Sequence, residues 1–398
     1  MGLMYKRKIY QKLKESLLNR GEFLQILTGP RQVGKTTLAR QLQEEWPGAS
    51  VYAAADVIPP PGPEWIETHW IQAKRKSGDK SPCLLILDEI QKVRGWSTTL
   101  KHLWDSRDSK HDIRVLCLGS SALLLQSGIT ETLAGRFLKH KCYHWGFSEC
   151  QEAFGWSLEE WLYFGGYPGA AVLKDDEEQW KQYIMDSLIE TAIAKDVVQM
   201  EPIRKPALLR NLFGLAAVHP AEILSYNKML GQLQEAGNTT TLAHYLYLLE
   251  TAFLISGLEL FSPRQKRKRG SSPKLVVWNN ALISAQSLRN FQESCNDRAW
   301  WGRVVENACL AHAIMTAPAQ VAATYWREGN AEVDLVLAAG ERVTALEIKS
   351  GRADKLPGLN KFRRKYPSAT ALVIGSGGIP LEEFLKFPVT EWLGKNKH

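Results

Sequence analysis

Eight consecutive residues, Gly29-Pro30-Arg31-Gln32-Val33-Gly34-Lys35-Thr36, have the types and spacing to hold a nucleoside triphosphate. Gly29 and Gly34 let a loop backbone curl its N–H groups around a β-phosphate, and the helix start that follows adds partial positive charge. Lys35 is placed to reach the β- and γ-phosphates and the Thr36 hydroxyl to bind magnesium. Arg31, Gln32, Val33 and Thr37 complete the binding run. Asp88-Glu89, at the end of the apolar run Cys83-Leu84-Leu85-Ile86-Leu87, would supply the other half. Asp88 is suited to hold magnesium through water, and Glu89 to polarise the attacking water as a general base.

Two weaker candidates follow. Ser120 or Ser121, after the run Ile113–Leu118, can sense a γ-phosphate; the other reading is a helix cap, for which serine is equally suited. Arg136, in Leu133-Ala134-Gly135-Arg136-Phe137, can act as an arginine finger on a neighbouring subunit's nucleotide, or be a surface arginine in a salt bridge.

A separate constellation lies near the C-terminus. Asp334 sits in Glu332–Leu337, and Glu347-Ile348-Lys349 ends Val343–Lys349. Residues two apart on a strand project from one face, so Glu347 and Lys349 would point together, with Asp334 on the neighbouring strand. Glu306, on a preceding helix, can complete a carboxylate set. Asp334, Glu347 and Glu306 suit Mg²⁺ or Mn²⁺, and Lys349 can orient the water that attacks a phosphodiester, the PD-(D/E)xK pattern. Lys361 could touch the same phosphate or simply be solvated. The run Arg264-Gln265-Lys266-Arg267-Lys268-Arg269 puts five cations in six positions. At a hairpin tip Arg264, Lys266, Arg267, Lys268 and Arg269 would bind DNA phosphates without sequence choice; a merely solvated loop is the plainer alternative.

The elements that must position these groups are legible in the same runs. Phe23–Thr28 is a short apolar strand feeding the glycine loop, and Thr37–Leu42 continues as helix, the setting a P-loop match requires. The continuous apolar run before Asp88 fits a central parallel strand buried on both faces. Residues 150–200 read helical, broken by Phe164-Gly165-Gly166-Tyr167-Pro168-Gly169, which is either an inter-helix turn or a lid hinge. From Pro206 to Phe261 the pattern is helix, turn, helix, and Leu254–Leu260 with Lys274–Trp278 form a strand pair, together reading as a winged helix whose tip is the basic run.

In order, GPRQVGKTTL, LLILDEIQKV, GSSALLL, ETLAGRF and GGYP resemble the prokaryotic AAA+-type P-loop ATPases of AAA_14/DUF4143 architecture. The resemblance spans about residue 20 to about residue 375. It implies an α/β chain: a P-loop AAA+-like parallel-sheet domain over 1–148, a helical lid or connector over 149–205, a winged-helix DNA-binding segment over 206–290, and an α/β restriction-endonuclease-like domain over 291–398. It implies ATP and Mg²⁺ as cofactors, with Mn²⁺ a further candidate at the nuclease-like site. A homo-oligomer, with a hexameric ring among the options, and DNA, duplex or branched, bound without sequence choice, are the partners it suggests.

Composition narrows the class. The chain has 398 residues, enough for two or three domains, with 44% hydrophobic and 23% charged residues as in ordinary globular proteins. Six cysteines without metal-ligand spacing argue for reduced thiols, and the lack of a long apolar run argues against a membrane span, so a cytoplasmic location is expected. A net charge of +8 is only weak support for nucleic acid. Three functions therefore stand: an ATPase that processes branched or broken DNA with a possible nuclease site, a DNA-remodelling motor without cleavage, and a nucleotide-regulated switch whose nuclease-like region binds partners.

Overall fold

The computed structural model describes residues 5–393 apart from 78–80, 109, 120–131, 198–202, 234–237, 264–270 and 352–355. The chain divides into two compact units, Met1–Tyr143 and His144–His398. The first therefore ends slightly before the boundary expected at residue 148.

The first unit is built on five strands, β1 (Leu24–Thr28), β2 (Ser50–Ala54), β3 (Cys83–Asp88), β4 (Ile113–Gly119) and β5 (Phe137–Lys141). All pair in parallel, in the order β2-β3-β4-β1-β5. This is the P-loop ATPase-like sheet, with β4 between the two strands that carry the nucleotide motifs. β1 and β3 are buried along their whole length, as their unbroken apolar sequences require. Trp70, Trp96, Trp104 and Leu100 pack with Leu24, Ile26, Leu85 and Leu87 in one core. Because every strand runs the same way, Thr28 and Asp88 end on one edge of the sheet, which is where the loops of such folds bind ligands.

The second unit carries a mixed sheet of β6 (Ile255–Leu260), β7 (Lys274–Val277), β8 (Ala322–Glu328), β9 (Ala331–Ala339), β10 (Arg342–Lys349) and β11 (Thr370–Gly375). Their order is β11-β10-β9-β8-β6-β7. β6 and β7 form the expected antiparallel hairpin, but β6 also pairs in parallel with β8 through Glu259–Thr324 and Leu260–Tyr325. The hairpin thus extends the sheet of the C-terminal region, so the domain boundary expected at 290/291 falls inside one sheet.

Before the hairpin come the helices Pro206–Val218, Tyr226–Leu233 and Thr239–Thr251, the last capped by the Asn238 side chain on the Thr241 N–H. The segment between the first two lies along the outer edge of β7. Ala221 N–H donates to Leu275 C=O, Leu275 N–H to Glu222 C=O, and Ile223 bridges Lys274. Two residues further along the same edge, Val277 N–H donates to Asn307 Oδ1 (2.9 Å) and Asn307 Nδ2 to Val277 C=O (2.8 Å). Asn307 belongs to the helix Arg298–Thr316 and is wholly buried.

The Gly165-Gly166 loop is a packed turn. Gly165 has φ +67°, a left-handed backbone that a side chain strains, and a Cβ on it would lie 2.0 Å from Asn279 Oδ1. A Cβ on Gly166 would lie 2.1 Å from the Trp145 carbonyl oxygen. Such close backbone approach explains both glycines without recourse to hinge motion. Among the described residues no helix is long and apolar enough to cross a membrane.

Candidate functional site: the P-loop and a C-terminal carboxylate cluster

The P-loop joins β1 to the helix Lys35–Glu44. Two of its residues have left-handed backbones, Gln32 (φ 60°) and Gly34 (φ 88°), which turn successive N–H groups inward as an anion site needs. Gly29 passes against β5's exit, and a Cβ there would lie 2.0 Å from the Cys142 carbonyl oxygen. The Lys35 ammonium donates to the Gly29 and Pro30 carbonyls (3.0 and 2.6 Å). It is therefore held over the loop it would serve.

Thr36 Oγ1 donates to Asp88 Oδ2 at 2.8 Å, which brings the two motifs together from 52 residues apart. This hydroxyl–carboxylate pair fits magnesium: both are hard oxygen donors at the mouth of a phosphate cradle. Thr36 and Asp88 would hold the ion beside bound ATP, where it would supply positive charge against the charge that develops in phosphoryl transfer. Asp88 is further fixed by Glu89 N–H on Oδ1 (2.9 Å) and by the Tyr52 hydroxyl on Oδ2 (2.7 Å). Burial and that carboxylate push the Tyr52 phenol far up, so it remains a donor. The Arg40 guanidinium covers the Tyr52 ring at 3.3 Å from its centroid. Glu89 follows Asp88 with φ 52°, a strained conformation for a non-glycine residue that is often found at working sites. Its Oε2 accepts from Gln91 Nε2 (2.6 Å).

Tyr52 and Arg7 escaped the sequence reading. Arg7 is buried and donates to the Val33 carbonyl (2.8 Å) and the Tyr143 carbonyl (3.1 Å), so the loop is tied to the end of the unit. Only a charged residue just ahead of an apolar helix hinted at it.

Arg136 lies elsewhere. Its carbonyl accepts from Leu24 N–H at the start of β1, whereas the P-loop leaves the end of that strand. Five strand residues at about 3.3 Å each put it roughly 16 Å away along the strand. Its guanidinium instead pairs with Asp105 through Nε (2.7 Å) and a terminal nitrogen (3.0 Å). Ser120 and Ser121 lie outside the described residues, as do Arg264, Lys266, Arg267, Lys268 and Arg269.

The C-terminal set does converge, with two additions. Lys274, at the start of β7, is wholly buried and reaches Glu306 Oε1 (2.7 Å), Glu332 Oε1 (3.0 Å) and Asp334 Oδ1 (3.2 Å). Asp334 Oδ2 accepts from Ile348 N–H (2.8 Å), and Lys349 pairs with Glu347 Oε1 (2.7 Å). Glu347 Oε2 is buried without a hydrogen-bond partner. Four carboxyl groups thus share two ammonium groups. Burial first, then Asp334, raise Glu306 to about 8 even against the pull of Lys274. Burial and Asp334 likewise raise Glu347, against the pull of Lys349. A proton on Glu306 is compatible with the short Lys274 contact, since its other oxygen still accepts. Burial opposes the charge on Lys274, but Asp334, Glu306 and Glu332 outweigh it and hold the ammonium protonated.

The expected metal set of Glu306, Asp334 and Glu347 is therefore not arranged as one. Among the described residues no three His, Cys, Asp or Glu side chains are disposed to hold a metal ion together. The reason is that Lys274, read from the sequence only as a strand residue, stands among them.

A five-stranded parallel sheet with a P-loop and an acidic strand end at one edge is the fold of a P-loop ATPase domain. The sequence agrees: residues 22–151 match the AAA domain family. Residues 155–293 and 301–387 match two domains of unknown function, DUF8612 and DUF4143. An uncharacterized protein of Haemophilus influenzae is 24% identical over 283 residues, covering 66% of this chain and 68% of its own. An uncharacterized protein of Mycobacterium tuberculosis is 25% identical over 341 residues, covering 81% and 69%. Among solved structures, the Walker-type ATPase of Pyrococcus abyssi aligns with TM-score 0.45 and 15% identity, over 71% of this chain and 96% of that one.

Proposed function

We propose that the chain is a magnesium-dependent ATPase that grips DNA through residues 206–277 and uses ATP turnover to process or remodel it. The Thr36–Asp88 contact at 2.8 Å carries the ATPase part, because it joins both nucleotide motifs into one site. The DNA part is supported by the order of elements before and in the hairpin. A helix, a bridging segment, two more helices and an antiparallel pair follow one another as in a winged helix. The basic run 264–269 connects β6 to β7 at the position of the wing. Phosphate contacts there would bind duplex or branched DNA without sequence choice. Arg136, out of reach of its own P-loop, would serve a neighbouring subunit in an oligomer.

The test is ATP turnover with single-stranded, duplex and forked DNA, on the wild type and on Lys35→Ala. Stimulation by DNA that vanishes in Lys35→Ala supports the reading. Reversing the charges of Lys266, Arg267, Lys268 and Arg269 should then weaken binding and flatten its salt dependence by several units of slope. Neither binding nor stimulation at low salt would discard the DNA role and leave a nucleotide-regulated switch.

A further inference from the structure

We infer that Lys274 is the resident cation of the C-terminal carboxylate cluster, standing where a nuclease of this pattern would hold Mg²⁺ or Mn²⁺. An ammonium has three donors and no acceptor. Lys274 meets three carboxylate oxygens, on Glu306, Glu332 and Asp334, at 2.7–3.2 Å. Its hydrogen-bonding capacity is used completely. A divalent ion bound to the same three oxygens at about 2.1 Å would have to stand where Nζ stands. The two cannot share the place.

The remaining oxygens leave little for a metal. Asp334 Oδ2 is committed to Ile348 N–H and Glu347 Oε1 to Lys349, so of these two carboxylates only Glu347 Oε2 is open. Mg²⁺ in phosphate chemistry is held by one or two carboxylates completed by waters and substrate, and Asp334, which would have to share it with Glu347, has both oxygens engaged. Burial of the whole Lys274 side chain is costly unless its partners are well placed, and three of them, two on β9 and one on the helix Arg298–Thr316, are. The cluster is thus an internal ion network that joins β7, β9 and the helix Arg298–Thr316. The carboxylate pattern expected of a metal-dependent nuclease is present, and a side chain stands in place of the metal.

Mn²⁺ uptake by the full-length chain without nucleotide, read from the electron paramagnetic resonance of the free ion, tests this. All variants carry Asp88→Asn, so that the P-loop contributes no ion. The parent and its Asp334→Asn variant should take up equal amounts. Lys274→Met should gain one equivalent, lost again when Asp334→Asn is added. An ion held by the parent and lost in Asp334→Asn would overturn the inference, and this pair decides even where Lys274→Met does not fold. A folded Lys274→Met that gains no ion would equally overturn it, since the cluster would then have no place for a cation other than lysine.

Discussion

Replacing Lys274 by methionine fills nearly the same volume but strands three carboxyl groups in a closed site. Removing one partner from a buried ionic network costs about 3–5 kcal/mol. Lys274 is wholly buried, and its three contacts of 2.7–3.2 Å are all lost, which places the change at the upper part of that range. The wild type already carries a pH dependence at this site: burial and Asp334 hold Glu306 at about 8 with Lys274 in place, so the folded chain keeps a proton that the unfolded chain releases, and stability falls as pH rises toward 8. Urea unfolding of the second unit reads it, through the fluorescence of buried Trp278 and Trp326. A Lys274→Met stability within about 1 kcal/mol of the wild type at pH 7, or a wild-type stability that does not fall between about pH 5 and pH 8, would refute the reasoning.

Glu89→Gln should keep nucleotide binding within a few-fold while turnover falls by about 10²–10⁴, measured by phosphate release; unchanged turnover would remove the general-base role. Arg136→Ala should bind nucleotide normally yet lose turnover by about 10³ or more, and mixing it with Lys35→Ala should restore part of it through mixed interfaces. A variant as active as the wild type leaves Arg136 only its pairing with Asp105. Gly166→Ala places a methyl 2.1 Å from the Trp145 carbonyl oxygen, so thermal melting should show a loss of about 3 kcal/mol; an unshifted transition would mean the turn is loosely packed.

The nucleotide site was legible because its signals are local. A strand, a glycine loop and a helix are contiguous, and the apolar run before Asp88 could hardly be anything but a buried strand. The carboxylate cluster was half legible: Glu347 and Lys349 share a strand face by spacing, and Asp334 and Glu306 were found by pattern. Lys274 was not, since a single lysine in Lys274-Leu275-Val276-Val277 reads as the solvent-facing start of a strand. Only tertiary contact, 60 residues along the chain from Asp334, reveals what neutralises it. The same holds for Tyr52 and Arg7, whose polar ends act across elements. The hairpin of β6 and β7 was read correctly as a pair, but its parallel joining to β8 involves just two residue pairs and carries no sequence period of its own. That is why a separate domain was expected where one sheet runs on.

The cover along β7 has a consequence for how the protein behaves in a crowded solution. A terminal strand with free N–H and C=O groups is a template on which another chain can add itself and start an aggregate. Here Leu275 is occupied by the backbone of Ala221 and Glu222, and Val277 by the Asn307 carboxamide. A carboxamide offers the same donor and acceptor as a peptide group, so Asn307 stands in for one residue of a strand that is not there. It ends the sheet without supplying a new edge. An aspartate or leucine in its place would leave the buried Val277 groups imperfectly matched, at a cost in stability, and local opening there would bare an edge on which other chains can add.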